Sequence, residues 1–203
     1  MSDISTVTFG LQAFVTLLVI LDPPGATPIF LGVIGNRNKR ERTLLAWQAA
    51  ASSLFVITLF ALFGQFIVGY LDISMPALKG AGGLLLLLVS LDLLKGHDSK
   101  MDEAAQKNLA LVPLGTPLLA GPGAIVTIML FAQEVESSSM TLALSLAVAG
   151  AHLIIGLTLM FSTHVVSLIK EAGVMLLAKV AGLLTAAIAF EMLMSGIREL
   201  FAV

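Results

Sequence analysis

Long apolar stretches separated by short polar connections make up most of this chain. A membrane-spanning helix needs about 20 largely apolar residues, and the pattern contains six such stretches. The predicted segments one to six run from about Ser5 to Val33, Leu44 to Tyr70, Met75 to Leu94, Leu109 to Ala132, Met140 to Phe161 and Val174 to Ile197. The pattern therefore predicts an all-α membrane protein with six transmembrane helices.

Segments one and four contain residues that a continuous helix does not accommodate. In segment one, a carboxylate, three prolines and a glycine fall within Asp22–Pro28. Proline removes a helix hydrogen bond, and its ring clashes with the preceding turn. Segment four contains Gly121-Pro122-Gly123, and Pro113 and Pro117 bend the chain just before it. Helices one and four are therefore predicted to be discontinuous, each restarting as a half-helix.

The second half of the chain resembles the first. Pro24-Gly25-Ala26 recurs as Pro122-Gly123-Ala124, and Lys79–Leu84 resembles Lys179–Leu184. Each half contains three segments, an odd number, so the second half must enter the membrane from the opposite side. We therefore predict two inverted three-helix repeats. The repeats are residues 1-97 and 107-203, and residues 98-106 form a cytoplasmic linker.

Composition and charge favour a polytopic membrane protein. The chain is 58% hydrophobic and 12% charged, whereas about a quarter of the residues of soluble domains are charged. Cysteine is absent, which excludes disulfides and thiolate metal sites. No basic cluster is interleaved with aromatic residues, so the expected partner is the lipid bilayer and no nucleic acid. Met1–Ile4 lack the basic region of a cleavable signal peptide, and segment one is expected to stay in the mature protein.

Lysine and arginine predict the orientation. Cytoplasmic connections are enriched in these residues, and they concentrate in the connections after segments one, three and five. These residues are Arg37, Lys39, Arg40, Arg42, Lys95, Lys100, Lys107 and Lys170. The bias predicts a multi-pass protein of the cell inner membrane with both termini on the outer, periplasmic side.

The first break has the features of a binding site. Asp22 is predicted as the N-cap and Pro23 as the first residue of a new half-helix. The amides of the first helical turn have no intrahelical partner, and each would cost several kcal/mol in lipid. A helix N-terminus favours carboxylates and other anions. The predicted substrate-binding residues here are Asp22, Pro23, Pro24, Gly25, Ala26 and Thr27.

The second break supplies similar donors but no acid, because Ala120 aligns with Asp22. The predicted binding residues here are Gly121, Pro122, Gly123, Ala124 and Ile125, with Thr116 as a candidate cap upstream. If both half-helix N-termini point at one place, their amides would hold a ligand carboxylate and Asp22 would balance its ammonium. That arrangement suits a zwitterion; two purely structural kinks are the alternative.

Three other polar residues within the segments are candidates for coupling or gating, because ionisable residues in membrane segments are functional hypotheses by default. They are Asp92, Glu191 and His152. The alternatives are that Asp92 and Glu191 reach interfacial water, and that His152 is a helix-packing residue.

The residues at both breaks resemble the signatures of a known family. Asp22–Phe30 is similar to the D-P-x-G-x-x-P-x-F motif of the MarC family of bacterial and archaeal membrane proteins, and Pro113–Ala124 resembles the family's second motif. One branch, SnatA-like, comprises small neutral amino-acid transporters. The resemblance therefore implies transport of amino acids the size of glycine or alanine.

The expected function is a secondary transporter of small neutral amino acids that binds its substrate between the two broken helices. An enzyme is not expected, because His97, His152 and His164 form no H-E-x-x-H motif and no G-x-S-x-G is present; no cofactor or metal is expected. The alternatives are an exporter or channel for another small solute, or a scaffold without transport activity. The direction of transport, H+ or Na+ as the coupling ion and a homo-oligomeric state stay open.

Overall fold

Helices account for nearly all of the secondary structure. The computed structural model describes residues 5–35, 37–95 and 119–201, and no strand occurs in these ranges. The helices are α1 Thr6–Leu21, α2 Pro23–Ile34, α3 Lys39–Tyr70, α4 Met75–Lys95, α5 Pro122–Gln133, α6 Ser138–Met160 and α7 Ser162–Phe201. The fold is therefore all-α over the described ranges, as the hydrophobic pattern predicted.

Five stretches within the described residues are long and apolar enough to cross a membrane: Thr6–Gly32, Lys39–Tyr70, Met75–Lys95, Ser138–Met160 and Ala172–Phe201. The helix α5 is apolar but has only 12 residues, or about 18 Å at about 1.5 Å per residue. The other part of predicted segment four, the linker 98-106 and Thr116 lie outside the described residues.

The connection before the last span differs from the prediction. It is helical from Ser162, and a break at Lys170, with φ 61°, separates this first arm of α7 from the long arm Ala172–Phe201. Lysine does not usually end helices and rarely adopts positive φ. The residue at the break therefore gave no sequence signal for it.

The N-terminal half of α1 packs parallel to α6. Phe9, Ala13 and Leu17 are buried and recur on one face of α1. A Cβ added at Gly10 would lie 3.1 Å from the Cβ of Ala143, and one added at Gly150 would lie 3.3 Å from the Phe14 ring. The residue numbers of the contacting pairs increase together along the two helices, so α1 and α6 run in the same direction.

The two other main helix pairs are antiparallel. In α3 and α6, Trp47 packs on Gly156, and Ser53 bonds to His152. In α4 and α7, a Cβ at Gly83 would lie 2.5 Å from the backbone nitrogen of Leu193, and one at Gly196 would lie 2.5 Å from that of Gly80. Glycine lets helices approach this closely in membranes.

Candidate functional site

The first break lies at Asp22, as predicted. Asp22 has left-handed backbone angles, φ 41° and ψ 68°, and its N–H still donates to the Leu18 carbonyl at 3.2 Å. The helix α2 begins at Pro23, and Pro24 follows it. Because neither proline has an N–H, the hydrogen bonds of α1 cannot continue beyond Asp22.

The Asp22 carboxylate caps α2, and this corrects one part of the prediction. Its Oδ1 accepts the Gly25 N–H at 3.2 Å, and the Ala26 N–H donates to the Asp22 carbonyl at 2.9 Å. The amides of Gly25 and Ala26 are therefore already bonded, and the prediction that they are free for a ligand is wrong. The Thr27 hydroxyl is also used, since it donates to the Pro23 carbonyl at 2.8 Å.

The second oxygen of the Asp22 carboxylate is the unused polar group at this break. Asp22 is 6% exposed, and its Oδ2 has no hydrogen-bond partner within residues 5–35, 37–95 and 119–201. A buried carboxylate oxygen without a partner carries a large desolvation cost. The site therefore offers a cation-binding atom rather than the row of anion-binding amides that the sequence suggested.

A cavity of about 460 Å³ borders the first break, and we call it the Asp22 cavity. Its walls come from α1, α2, α6 and both arms of α7. The lining residues are Leu18, Val19, Asp22, Pro23, Pro24, Ile154, Thr158, Val165, Ile169, Val174, Leu177, Val180, Ala181 and Leu184. Asp22 is the charged residue of this lining, and the Thr158 hydroxyl already donates to the Ile154 carbonyl at 2.9 Å. A volume of this size accommodates a small organic solute.

The second break retains two of the expected donors. Gly121 is extended and provides no side-chain cap, and α5 begins at Pro122. The Ile125 N–H donates to the Gly121 carbonyl at 3.1 Å, so the expectation of a free amide at Ile125 is wrong. The amides of Gly123 and Ala124 have no acceptor in the described part of the chain, and both residues are buried.

The two breaks do not line one common pocket at Asp22. None of residues 119–125 lines the Asp22 cavity. Ala120 and Ala124 instead belong to the same buried apolar cluster as Leu21 and Ala26. The predicted arrangement, with both N-termini pointing into one cavity, is therefore not the geometry of the Asp22 cavity.

A second cavity, of about 210 Å³, contains Glu191, and we call it the Glu191 cavity. It lies between α1, α4, α5 and α7. Its lining residues are Gln12, Thr16, Lys79, Thr127, Leu130, Phe131, Glu134, Ile188, Glu191 and Met192. The Lys79 ammonium is bound to Glu199 at 2.8 Å. Burial raises the pKa of Glu134 above its ordinary value, and the charge of Lys79 opposes that rise. Glu191, one of the predicted coupling residues, therefore faces a polar cavity.

His152 and Asp92 lie outside both cavities. The His152 Nδ1 is 2.8 Å from the Val148 carbonyl, and its Nε2 is 3.1 Å from the Ser53 hydroxyl. A carbonyl only accepts, so Nδ1 carries a proton, and in the neutral ring Nε2 would accept from Ser53. Both ring nitrogens are thus paired, which favours the packing role over a proton relay. Asp92 is exposed near the end of α4.

The sequence interpretation missed several polar residues of the Glu191 cavity and a buried threonine of α7 that lies outside both cavities. Thr127 and Thr185 are 3% and 1% exposed, and their hydroxyls have no partner among the residues described. One signal was available for the Glu191 cavity: Gln12 and Thr16 are four residues apart and share a face of an otherwise apolar helix. Single threonines give no such signal, since their pairing depends on which helix packs against them.

Comparisons with known proteins give a consistent family assignment. Residues 7–201 match the family described as MarC family integral membrane protein. The UPF0056 membrane protein MJ1677 of Methanocaldococcus jannaschii is 38% identical over 197 residues, which cover 94% of this chain and 96% of the relative. The UPF0056 membrane protein YvbG of Bacillus subtilis is 27% identical over 208 residues, 97% of each chain. These names specify no substrate, and no solved structure matches the chain.

Proposed function

This chain belongs to the MarC family and is an integral multi-pass membrane protein, and on that basis we propose that it is a secondary transporter of small neutral amino acids. The observation that carries the proposal is the buried Oδ2 of Asp22, which has no partner among the residues described and lies beside a cavity of about 460 Å³. Ionisable residues in membrane segments mark substrate or ion pathways. The ammonium group of an amino acid is a cation of the right charge for this oxygen.

The substrate carboxylate needs donors, and the candidates are the amides of Gly123 and Ala124, which have no acceptor among the described residues. They lie away from the Asp22 cavity in the described arrangement. We therefore propose that α5 moves toward the α1–α2 break when a zwitterion binds, so that both ends of the substrate are held together. Protonation of Asp22 in the empty carrier would make H+ the coupling ion, and Na+ at the same carboxylate is the alternative.

Helix directions support the six-pass, inverted-repeat topology. Because α3 is antiparallel to α6, and α4 follows α3 through a short turn, α4 and α6 start on the same side. We therefore propose that the chain crosses the membrane once more between Lys95 and Ser138. The apolar α5 provides part of that crossing. Six passes place both termini on one side, which the positive residues near Arg37–Arg42 assign to the outer face of the inner membrane.

Uptake by purified protein in liposomes tests the proposal. Labelled glycine, alanine and serine should accumulate faster than in empty liposomes, and Asp22→Asn should abolish the difference. Rates equal to those of empty liposomes for all three amino acids would reject the proposed substrate class. Steady current across a planar bilayer without saturation would instead indicate a channel.

A further inference from the structure

The Glu191 cavity and the Asp22 cavity follow one another along the same face of α1 and along the same face of α7. On α1, Gln12 and Thr16 line the Glu191 cavity, and Val19 lines the Asp22 cavity. On α7, Ile188 lines the Glu191 cavity and Leu184 lines the Asp22 cavity. Spacings of three and four residues keep side chains on one helix face. The two cavities therefore lie end to end, separated on both helices by about one turn, or about 5.4 Å.

A buried threonine hydroxyl belongs to this row of cavities, because Thr127 lines the Glu191 cavity. A helical threonine commonly donates to the carbonyl four residues earlier, as Thr27 and Thr158 do here. The Thr127 hydroxyl makes neither that bond nor any other with the part of the chain that is described. It is thus an unpaired polar group in the wall of the Glu191 cavity.

The Glu191 cavity also has the charge that an ammonium group requires. Glu134 and Glu191 line it, and the positive charge of Lys79 is balanced by Glu199 at 2.8 Å. Thr16 lies about 15 Å along α1 from Thr6, which is about half of a bilayer core of about 30 Å. The acidic and hydroxyl groups that line the cavity therefore extend from the ends of the helices to about the middle of the membrane.

We infer that the Glu191 cavity and the Asp22 cavity are two halves of one translocation path between α1 and α7. Thr127 binds a polar group of a small ammonium-bearing solute as it passes between the halves. The identity of the solute rests on the proposed transport function, whereas the geometry of the path does not. The path leads from the Glu191 cavity, where Thr127 lies, to Asp22, and the short constriction between the cavities separates the two sides.

The absence of cysteine in the native chain permits a direct test by single cysteine substitutions. Thr16→Cys and Ile188→Cys place a thiol on the path. Val15→Cys and Phe190→Cys are matched controls, because the native side chains are 52% and 57% exposed at nearly the same depths and face lipid. A charged, membrane-impermeant methanethiosulfonate reagent is added to both sides of the reconstituted membranes, and total thiol is measured after denaturation in SDS.

We expect the path variants to react at least about tenfold faster than their controls, since an apolar surrounding that raises a thiol pKa by one unit lowers the thiolate fraction about tenfold. Equal rates within each pair, or unreactive thiols at both path positions, would overturn the path. Reaction does not require a transported substrate. Labelling on the path without amino-acid uptake would therefore reject the proposed substrate and leave the path intact.

Thr127 has its own test. Thr127→Val removes the hydroxyl at nearly constant shape, and Thr127→Ser keeps it. The valine variant should retain the thermal stability of the native protein in detergent, because no described residue bonds to the hydroxyl, while uptake falls about tenfold. The serine variant should retain uptake. Native uptake by Thr127→Val would overturn the role of Thr127 in binding.

Discussion

At the residue scale, the two oxygens of Asp22 have different surroundings. Oδ1 accepts the Gly25 N–H, whereas Oδ2 has no partner in the ranges described. Capping stabilises the restart of the helix, and the left-handed backbone of Asp22 is more accessible to Asp and Asn than to most other residues. The role of Asp22 in helix structure and its role in binding can therefore be separated by substitution.

Asp22→Asn should separate these roles. Its amide oxygen can still cap Gly25, but its charge is gone, so we expect near-native stability and loss of amino-acid uptake. Asp22→Ala should lose uptake and also about 1 kcal/mol of unfolding free energy, the usual cost of a lost N-cap. Thermal unfolding in detergent and uptake in liposomes measure the two effects. Full uptake by Asp22→Asn would contradict a charge-based role.

The two break glycines should respond differently to alanine. A Cβ at Gly25 would collide with the Asp22 carboxylate, and one at Gly123 would collide with Cδ2 and Cγ of the buried Leu86 side chain. We expect both alanine variants to lower the free energy of unfolding by about 1–3 kcal/mol, the typical cost of overpacking. Gly25→Ala should cost about 1 kcal/mol more, because it also displaces the carboxylate that caps α2. Denaturation in detergent checks the order, and the reverse order would contradict this account of the first break.

The Ser53–His152 bond should contribute to stability. Ser53→Ala leaves the buried Nε2 of His152 without its donor, and an unsatisfied buried polar group costs about 1–3 kcal/mol. Adding His152→Leu removes the unsatisfied nitrogen, so the double variant should be less destabilised than the sum of the single effects. Melting temperatures of the four proteins test this coupling. Additive effects would show that the two side chains do not act as a pair.

At the element scale, the features that depend on local chemistry could be predicted. Prolines and glycines predicted the interruption at Asp22 and the helix start at Pro122. The sequence analysis predicted that Asp22 caps the half-helix but also treated the Gly25 amide as free for a ligand. In the structure this amide donates to the capping carboxylate of Asp22. The break at Lys170 and the two cavities depend on packing between distant helices, which one sequence does not encode in any local pattern.

The antiparallel pair α4–α7 depends on close backbone contact at specific glycines. A Cβ at Gly83 would lie 2.5 Å from the Leu193 nitrogen, whereas one at Gly80 would meet no heavy atom within 4 Å. Both alanine substitutions gain about 1 kcal/mol of helix propensity. We therefore expect Gly80→Ala to be neutral or stabilising and Gly83→Ala to be destabilising in thermal unfolding. Equal effects of the two would contradict the close contact between α4 and α7 at Gly83.

At the scale of the whole molecule, the directions of the helices link the fold to the proposed mechanism. Parallel α1 and α6, antiparallel α3 and α6, and antiparallel α4 and α7 are the relations expected of inverted repeats with alternating passes. In such carriers one group of helices moves against the other around a fixed site. The broken α1–α2 and the kinked α7 both line the Asp22 cavity, so a small movement at either break would change access to it.

The number of passes gives the last prediction. With six passes, epitope tags fused to the two termini lie on the same side, whereas five passes place them on opposite sides. A third tag, inserted between Arg37 and Asn38 within the cation-rich connection, is the internal control and should lie on the cytoplasmic side. Antibody binding to intact and permeabilised spheroplasts, from which the outer membrane barrier has been removed, measures the position of each tag. Both terminal tags should bind antibody on intact spheroplasts, and the inserted tag only after permeabilisation. Terminal tags on opposite sides would contradict the six passes, and with them the inverted relation of the two halves, because each half would no longer contain an odd number of crossings.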